Sequence, residues 1–212
     1  HQLKQPLNIL SLYCNDVSDS FFSNEINNKF IDDFSKNTKE QINFLSETID
    51  DFRDFFNPNK QKVVFEIKSA IEKSLKFMGN QFEINRVKVN IEYKDEKVYG
   101  IEIVLEQVIL NILNNSMDAF KERKIENKEI NIKVLSKQSY TILIMEDNAG
   151  GVKEESLEKI FDPYYTTKST GTGTGLYMVK LVVKNSLQGD LKINNSEKGL
   201  RYIIALPQKE ES

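Results

Sequence analysis

Cysteine and histidine are almost missing from this 212-residue chain, which holds one of each, Cys14 and His1. A single cysteine excludes an internal disulfide and fits a reducing compartment. No apolar run approaches the length of a membrane span and no signal peptide is visible. The chain therefore reads as a soluble cytoplasmic piece, with any membrane link supplied by regions outside it. Neither sign of charge dominates, since 29 basic and 32 acidic side chains leave a net charge of −3, and nothing points to a basic face for nucleic acid. Glycine is scarce too. Of the nine, Gly150, Gly151, Gly171, Gly173 and Gly175 fall between Asp147 and Leu176, so that stretch needs backbone that turns sharply and lets a ligand approach closely.

What is present is 39% hydrophobic residues, enough for a real core, arranged in two parts. Leu3, Leu7, Leu10, Cys14, Val17 and Phe21 step by four and three, which is a heptad seam. Ile31, Phe34, Ile42, Leu45, Ile49, Phe52 and Phe56 form a second seam that stops at Asn57-Pro58, where Pro disfavours helix in the residue before it. The two helices make a hairpin over residues 1–57 whose apolar face is too broad for the pair alone, so a homodimeric four-helix bundle is expected. A polar linker, 58–62, leads to a second domain, 63–207, and residues 208–212 read as a disordered tail.

In the second domain, residues 63–67 read as a strand, 69–78 as a helix and 87–93 as a half-buried strand. The longest helix of this half spans 102–124. Leu105, Val108, Ile109, Ile112, Leu113, Met117 and Phe120 lie on one of its faces, and Asn111, Asn115 and Asp118 fall at i, i+4 and i+7 on another. A polar stripe is ordinarily a solvated face; three short polar residues of poor helix propensity, where Glu and Lys serve better, point instead to a site. A strand pair, 130–134 and 140–145, leads to Asp147 at a strand end. There a carboxylate can accept the exocyclic amine of adenine while Gly150 and Gly151 turn beneath the base. A short helix (153–160), a polar lid (161–170) and a closing hairpin (191–193 with 201–206) follow. Gly171, Gly173 and Gly175 precede a helix from Leu176, and a glycine-rich turn entering a helix offers N–H groups to a phosphate.

D-N-A-G-G (147–151), F-D-P-Y-Y-T-T-K (161–168) and G-T-G-T-G-L (171–176) resemble the G1, F and G2 boxes of sensor histidine kinases, whose ATP-binding fold is shared with DNA gyrase and related ATPases. Residues 110–119 resemble their N box, with Ser116 in place of the usual Ala, and H-Q-L-K-Q-P-L (1–7) resembles their H box. The resemblance covers nearly the whole chain. It implies an α+β architecture: a helical hairpin in a dimeric four-helix bundle, then a GHKL-type α/β sandwich. It implies ATP and Mg²⁺ as cofactors, with Asn111, Asn115, Asp118, Asp147, Gly151, Lys168, Gly171, Gly173, Thr174, Gly175 and Leu176 in the nucleotide site. Asn115 is then the metal ligand and Lys168 the side chain that neutralises phosphate. His1, the only histidine, is implied as phosphoacceptor, and the receiver domain of a response regulator as the partner whose Asp takes the phosphoryl group.

Some positions depart from that pattern. Gln2 stands where many members carry an acid and cannot act as a base. Gln5 stands where many have Thr or Asn; its amide could still orient a water for dephosphorylating a partner. Ala149 stands where many have Gly. Asn111 occupies the place of the hydrolytic glutamate of gyrase-like ATPases and cannot take a proton, so phosphotransfer is expected over hydrolysis. Two rival readings are an ATP-driven clamp on the same fold and a non-catalytic module that docks a partner with ATP as a structural ligand. Pro6 cannot bond the carbonyl of Gln2 and should bend the helix a turn after His1. A first residue can also be a tag remnant, against which the match of Lys4, Pro6 and Leu7 speaks. The start at His1, where a helix should already be under way, reads as a fragment of a longer protein.

Overall fold

The computed structural model describes residues 4–23, 26–55, 61–166 and 173–209, with backbone only at 4–8, 40 and 43–55. It divides into two compact units, His1–Asn57 and Pro58–Ser212.

The first unit is a pair of packed helices, α1 (Lys4–Phe22) and α2 (Asn28–Phe55). α1 ends where the N–H and Oγ of Ser23 both donate to the carbonyl of Asp19, at 3.0 and 2.8 Å. Asn27 caps α2, its Oδ1 accepting from the Phe30 N–H at 2.9 Å, which satisfies one of the amides a helix start leaves open. Leu10, Val17 and Phe34 of the two seams are half-buried, whereas Phe21 is 68% exposed and Ile31 and Ile42 close to half. Pro6 lies in α1. His1, Gln2 and the bend expected there lie outside the described residues.

The second unit has eleven elements among the described residues. β1 (Val63–Glu66) pairs antiparallel with β3 (Lys97–Gly100), and α3 (Ile67–Asn85) runs from β1 toward β2 (Val87–Glu92). After β3 come α4 (Glu102–Glu122), β4 (Lys128–Lys137), β5 (Tyr140–Asp147), α5 (Glu154–Lys159), α6 (Gly175–Asn185), β6 (Asp190–Asn195) and β7 (Leu200–Pro207). The main sheet is mixed, in the order β2-β4-β5-β7-β6, with β2 parallel to β4 and every other pair antiparallel. Antiparallel hairpins need only short turns, while the parallel β2–β4 pair needs a crossover, which β3 and α4 supply.

One row of side chains on each strand is buried in register: Ile130, Ile132 and Val134 on β4, Thr141, Leu143 and Met145 on β5, and Tyr202, Ile204 and Leu206 on β7. α4 contributes a matching stripe, Val104, Leu105, Val108, Ile109, Ile112, Leu113, Ser116 and Phe120, and packs between α3 and α6. In this stripe Ser116 is buried where Met117 was expected, and Met117 is half-buried. α3 also runs seven residues past its expected end at Met78, because Phe82 continues the buried stripe of Ile67, Ala70, Ile71, Ser74 and Met78. β3 was not anticipated. Gln208, read as the start of a loose tail, is held by its N–H to the Ser139 carbonyl at 3.0 Å and by Nε2 to Ser136 Oγ at 3.0 Å and Glu96 Oε2 at 3.1 Å. No helix among the described residues is long and apolar enough to cross a membrane.

Candidate functional site

The inward row of β5 runs Thr141, Leu143, Met145 and then Asp147, which is 4% exposed. A carboxylate at that depth needs several donors. Opposite it, the apolar stripe of α4 is interrupted by Ser116, and Ser116 Oγ donates to Asp147 Oδ2 at 2.9 Å. Asp147 Oδ1 accepts from the N–H groups of Ala149 at 2.9 Å and Leu200 at 3.3 Å. Tyr202 is fully buried nearby; that burial, and next the charge of Asp147, push its hydroxyl far above the usual range and keep it neutral.

The turn after Asp147 is fixed on both sides. Gly150 and Gly151 have φ of 88° and 66°, the left-handed region that favours glycine. A Cβ at Gly151 would collide with Oδ1 of Asn195, which accepts from the Val152 N–H at 2.9 Å while Nδ2 donates back to the Val152 carbonyl at 2.7 Å. From the other side Arg123, just past the end of α4, donates through Nη1 to the carbonyls of Ala149 and Gly151, the latter at 2.6 Å. Asn148 ties the turn to the start of β4, its Oδ1 accepting from the Glu129 N–H at 2.9 Å.

The second wall joins α4 to α6. Asn115 Nδ2 donates to Asn111 Oδ1 at 3.1 Å, and Gly175 at the start of α6 lies directly against the Asn111 amide. Gly173 (φ 67°) accepts at its carbonyl from the Tyr164 N–H at 3.0 Å, so close that a Cβ would strike the Tyr164 backbone. The Tyr165 hydroxyl donates to buried Ser156 Oγ at 2.7 Å.

Between these walls lies a cleft of about 720 Å³, within the range of small-molecule sites. It brings together Asn111, Asn115, Asp118, Asp147, Gly151, Gly173, Gly175 and Leu176 of the residues singled out from sequence. Thr174 does not line it; it is the N-cap of α6, its carbonyl accepting from the Met178 N–H at 2.9 Å. Gln5 belongs to α1 in the other unit, and His1, Lys168 and Gly171 lie outside the described residues. Sequence reasoning passed over Arg123, Asn195 and Gly199, and treated Ser116 only as a departure from Ala. Helical spacing offered one signal: Ser116 and Arg123 are seven residues apart and so share a face of α4.

A mixed sheet backed by helices, with a glycine-edged cleft at the end of a central strand, defines an α+β ATP-binding domain of the GHKL type. The profile of the family described as histidine kinase-, DNA gyrase B- and HSP90-like ATPase matches residues 100–210, just over half of the chain. The chain belongs to this family, among its sensor histidine kinases. It is 26% identical to sporulation kinase B of Bacillus subtilis (strain 168), across 98% of this chain and 47% of that protein. It is 24% identical to the two-component sensor PprA of Pseudomonas aeruginosa, across 98% of this chain and 23% of that one. The chain thus spans less than half the length of these relatives. Among solved structures, the histidine kinase ThkA in complex with the response regulator protein TrrA has a similar fold, with a TM-score of 0.62 at 18% identity over 99% of this chain and 59% of that one.

Proposed function

We propose that this chain is the kinase core of a two-component sensor, binding ATP with Mg²⁺, phosphorylating itself on His1 and passing the phosphoryl group to an Asp of a response regulator. The observation that carries the reading is the cleft, where one buried carboxylate, a paired-asparagine helix face and a glycine-edged helix start converge. Asp147 accepts the adenine amine, and Gly173, Gly175 and Leu176, with Lys168 and Gly171, surround the phosphates. Asp118 borders the same cleft from the next turn of α4. Asn115 would hold the metal through its amide oxygen, the donor type a hard cation takes, as the resemblance implies. No group of three or more His, Cys, Asp and Glu side chains forms a metal cage among the described residues, which suits an ion held mostly by phosphates and water. When bound, Mg²⁺ supplies charge neutralisation at the phosphates.

In the reaction a neutral imidazole nitrogen of His1 forms a bond to the γ-phosphorus as the bond to the β,γ-bridging oxygen breaks. ADP leaves, and the imidazole proton passes to a base other than Gln2, whose amide cannot accept it. Asn111 likewise cannot deprotonate a water, so the chemistry favours the imidazole. Residues 1–57 serve as the phosphoacceptor and dimerisation hairpin, 58–62 as linker and 63–207 as the ATP-binding domain. The exposed seam residues Phe21, Ile31 and Ile42 support a homodimeric four-helix bundle. The response regulator reading draws on the TrrA partner named with ThkA.

The test is incubation with γ-labelled ATP and Mg²⁺, using the chain extended upstream of His1, beside His1→Ala. Acid-labile, base-stable label that disappears with His1→Ala is the expected result. Absence of label with ATP binding intact overturns the kinase reading in favour of the binding module.

A further inference from the structure

Ser116 on α4 and Arg123 at its C-cap are two helical turns or roughly 10 Å apart along one face; Ser116 reaches Asp147 at the end of β5, and Arg123 reaches the turn that follows it. Ser116 is 3% exposed, and its Oγ has two acceptors in reach, the Ile112 carbonyl at 3.3 Å and Asp147 Oδ2 at 2.9 Å. The shorter contact is to the charged group, and such hydrogen bonds are the stronger ones. Arg123 acts on the other carboxylate oxygen at one remove. Its Nη1 donates to the Ala149 carbonyl, and the N–H of Ala149, a residue 1% exposed, donates to Asp147 Oδ1. Its second bond, to Gly151 at 2.6 Å, fixes the far side of the same turn. Ser116 therefore holds Oδ2 directly, and Arg123 acts on Oδ1 through one intervening residue, Ala149.

We propose that Ser116 and Arg123 are positioning residues that lock the Asp147 carboxylate in the orientation that selects a purine carrying an amino group at C6 over one carrying a carbonyl oxygen there. This rests on the nucleotide reading of the cleft. With Oδ1 taken by two backbone amides and Oδ2 oriented by Ser116, the acceptor presented to a base has a fixed direction. A C6 amine donates to it. A C6 carbonyl oxygen sets two acceptors against each other, and the mismatch grows as the carboxylate is held more rigidly. The resemblance places Ala at position 116, so this chain adds a donor that the family pattern does not require, and a Ser116→Ala variant fits the site sterically.

The test is equilibrium binding of ADP and of inosine diphosphate, which differ at C6, to the whole chain, Ser116→Ala and Arg123→Met, with thermal unfolding recorded for each. The wild type should favour ADP by at least about thirtyfold, and each variant should narrow the ratio about five- to tenfold, chiefly by weakening ADP. Loss of affinity for both nucleotides in equal proportion, or an unchanged ratio, assigns these residues to stability alone and overturns the proposal. A wild type that binds neither nucleotide overturns the ATP reading of the cleft and the selectivity with it. Tight wild-type ADP binding with an unchanged ratio in both variants overturns this proposal and leaves the ATP reading of the cleft standing.

Discussion

Gly175 and Asn111 meet across the cleft: a Cβ added to Gly175 would lie 3.0 Å from Oδ1 and 3.1 Å from Nδ2 of Asn111. The start of α6 therefore packs directly on the asparagine face of α4. Gly175→Ala should push the Asn111 amide by a few tenths of an ångström and disturb its bond to Asn115. Titration calorimetry should show affinity for Mg·ATP falling about tenfold while metal-free ADP changes about threefold or less, at a stability cost of about 1 kcal/mol. Equal losses for both ligands would place the damage outside the metal-bearing face.

Gly199 approaches Asp147 still more closely. A Cβ there would collide with the Asp147 carbonyl oxygen and stand 2.6 Å from its Oδ1, and backbone does not yield as a flexible side chain does. Gly199→Ala should destabilise the second unit by about 3 kcal/mol or more. Gly79→Ala, in the middle of α3 with nothing within 4 Å of the new methyl group, should stabilise it by about 0.5 to 1 kcal/mol. Thermal unfolding of the two variants should thus shift in opposite directions.

Glu146 and Arg201 face each other at a registered pair of β5 and β7, with Nε and Oε2 2.7 Å apart. Burial alone would raise the Glu146 carboxyl; hydrogen bonds from Arg201 and Ser196 and the charges of Arg201 and Lys198 outweigh it and hold it below its ordinary 4.5. A carboxylate depressed on folding contributes stability that is complete above its unfolded value and is lost as pH falls through the lower folded value. Arg201→Met should therefore cost about 1 kcal/mol or less at pH 7 for this partly exposed pair, and converge with the wild type as pH falls below the ordinary carboxylate range and through the lower folded value. A constant offset across that window in a pH series of denaturation curves would show that the pair carries no protonation linkage.

Much of the second unit was legible because its signals are long or chemically specific. The apolar face of α4 repeats from Val104 to Phe120 with the shorter Asn111, Asn115 and Asp118 face beside it, and Asp147 ends an apolar run just before paired glycines. The elements that escaped lack such signals. β3 is four residues long with Val98 and Gly100 its only buried members, too short for alternation to register. α3 appeared to end at Gly79-Asn80, although Phe82 a turn later still buries against the core. The grip of Arg123 on Ala149 and Gly151 runs to backbone carbonyls 26 and 28 residues away, and a carbonyl has no residue identity to read. Asn195 and Gly199 reach the turn through the β6–β7 hairpin, a tertiary relationship absent from local pattern.

The fate of the γ-phosphate tests most directly whether this cleft delivers a phosphoryl group to a side chain or to water. With γ-labelled ATP and Mg²⁺, protein-bound label and inorganic phosphate are measured together over a single turnover, for the wild type extended upstream of His1 and for Asn111→Glu. The predicted result is label on the wild-type chain with little inorganic phosphate, and a shift toward inorganic phosphate when the glutamate restores a base beside the cleft. Steady release of inorganic phosphate from the wild type with no label on the protein would contradict it.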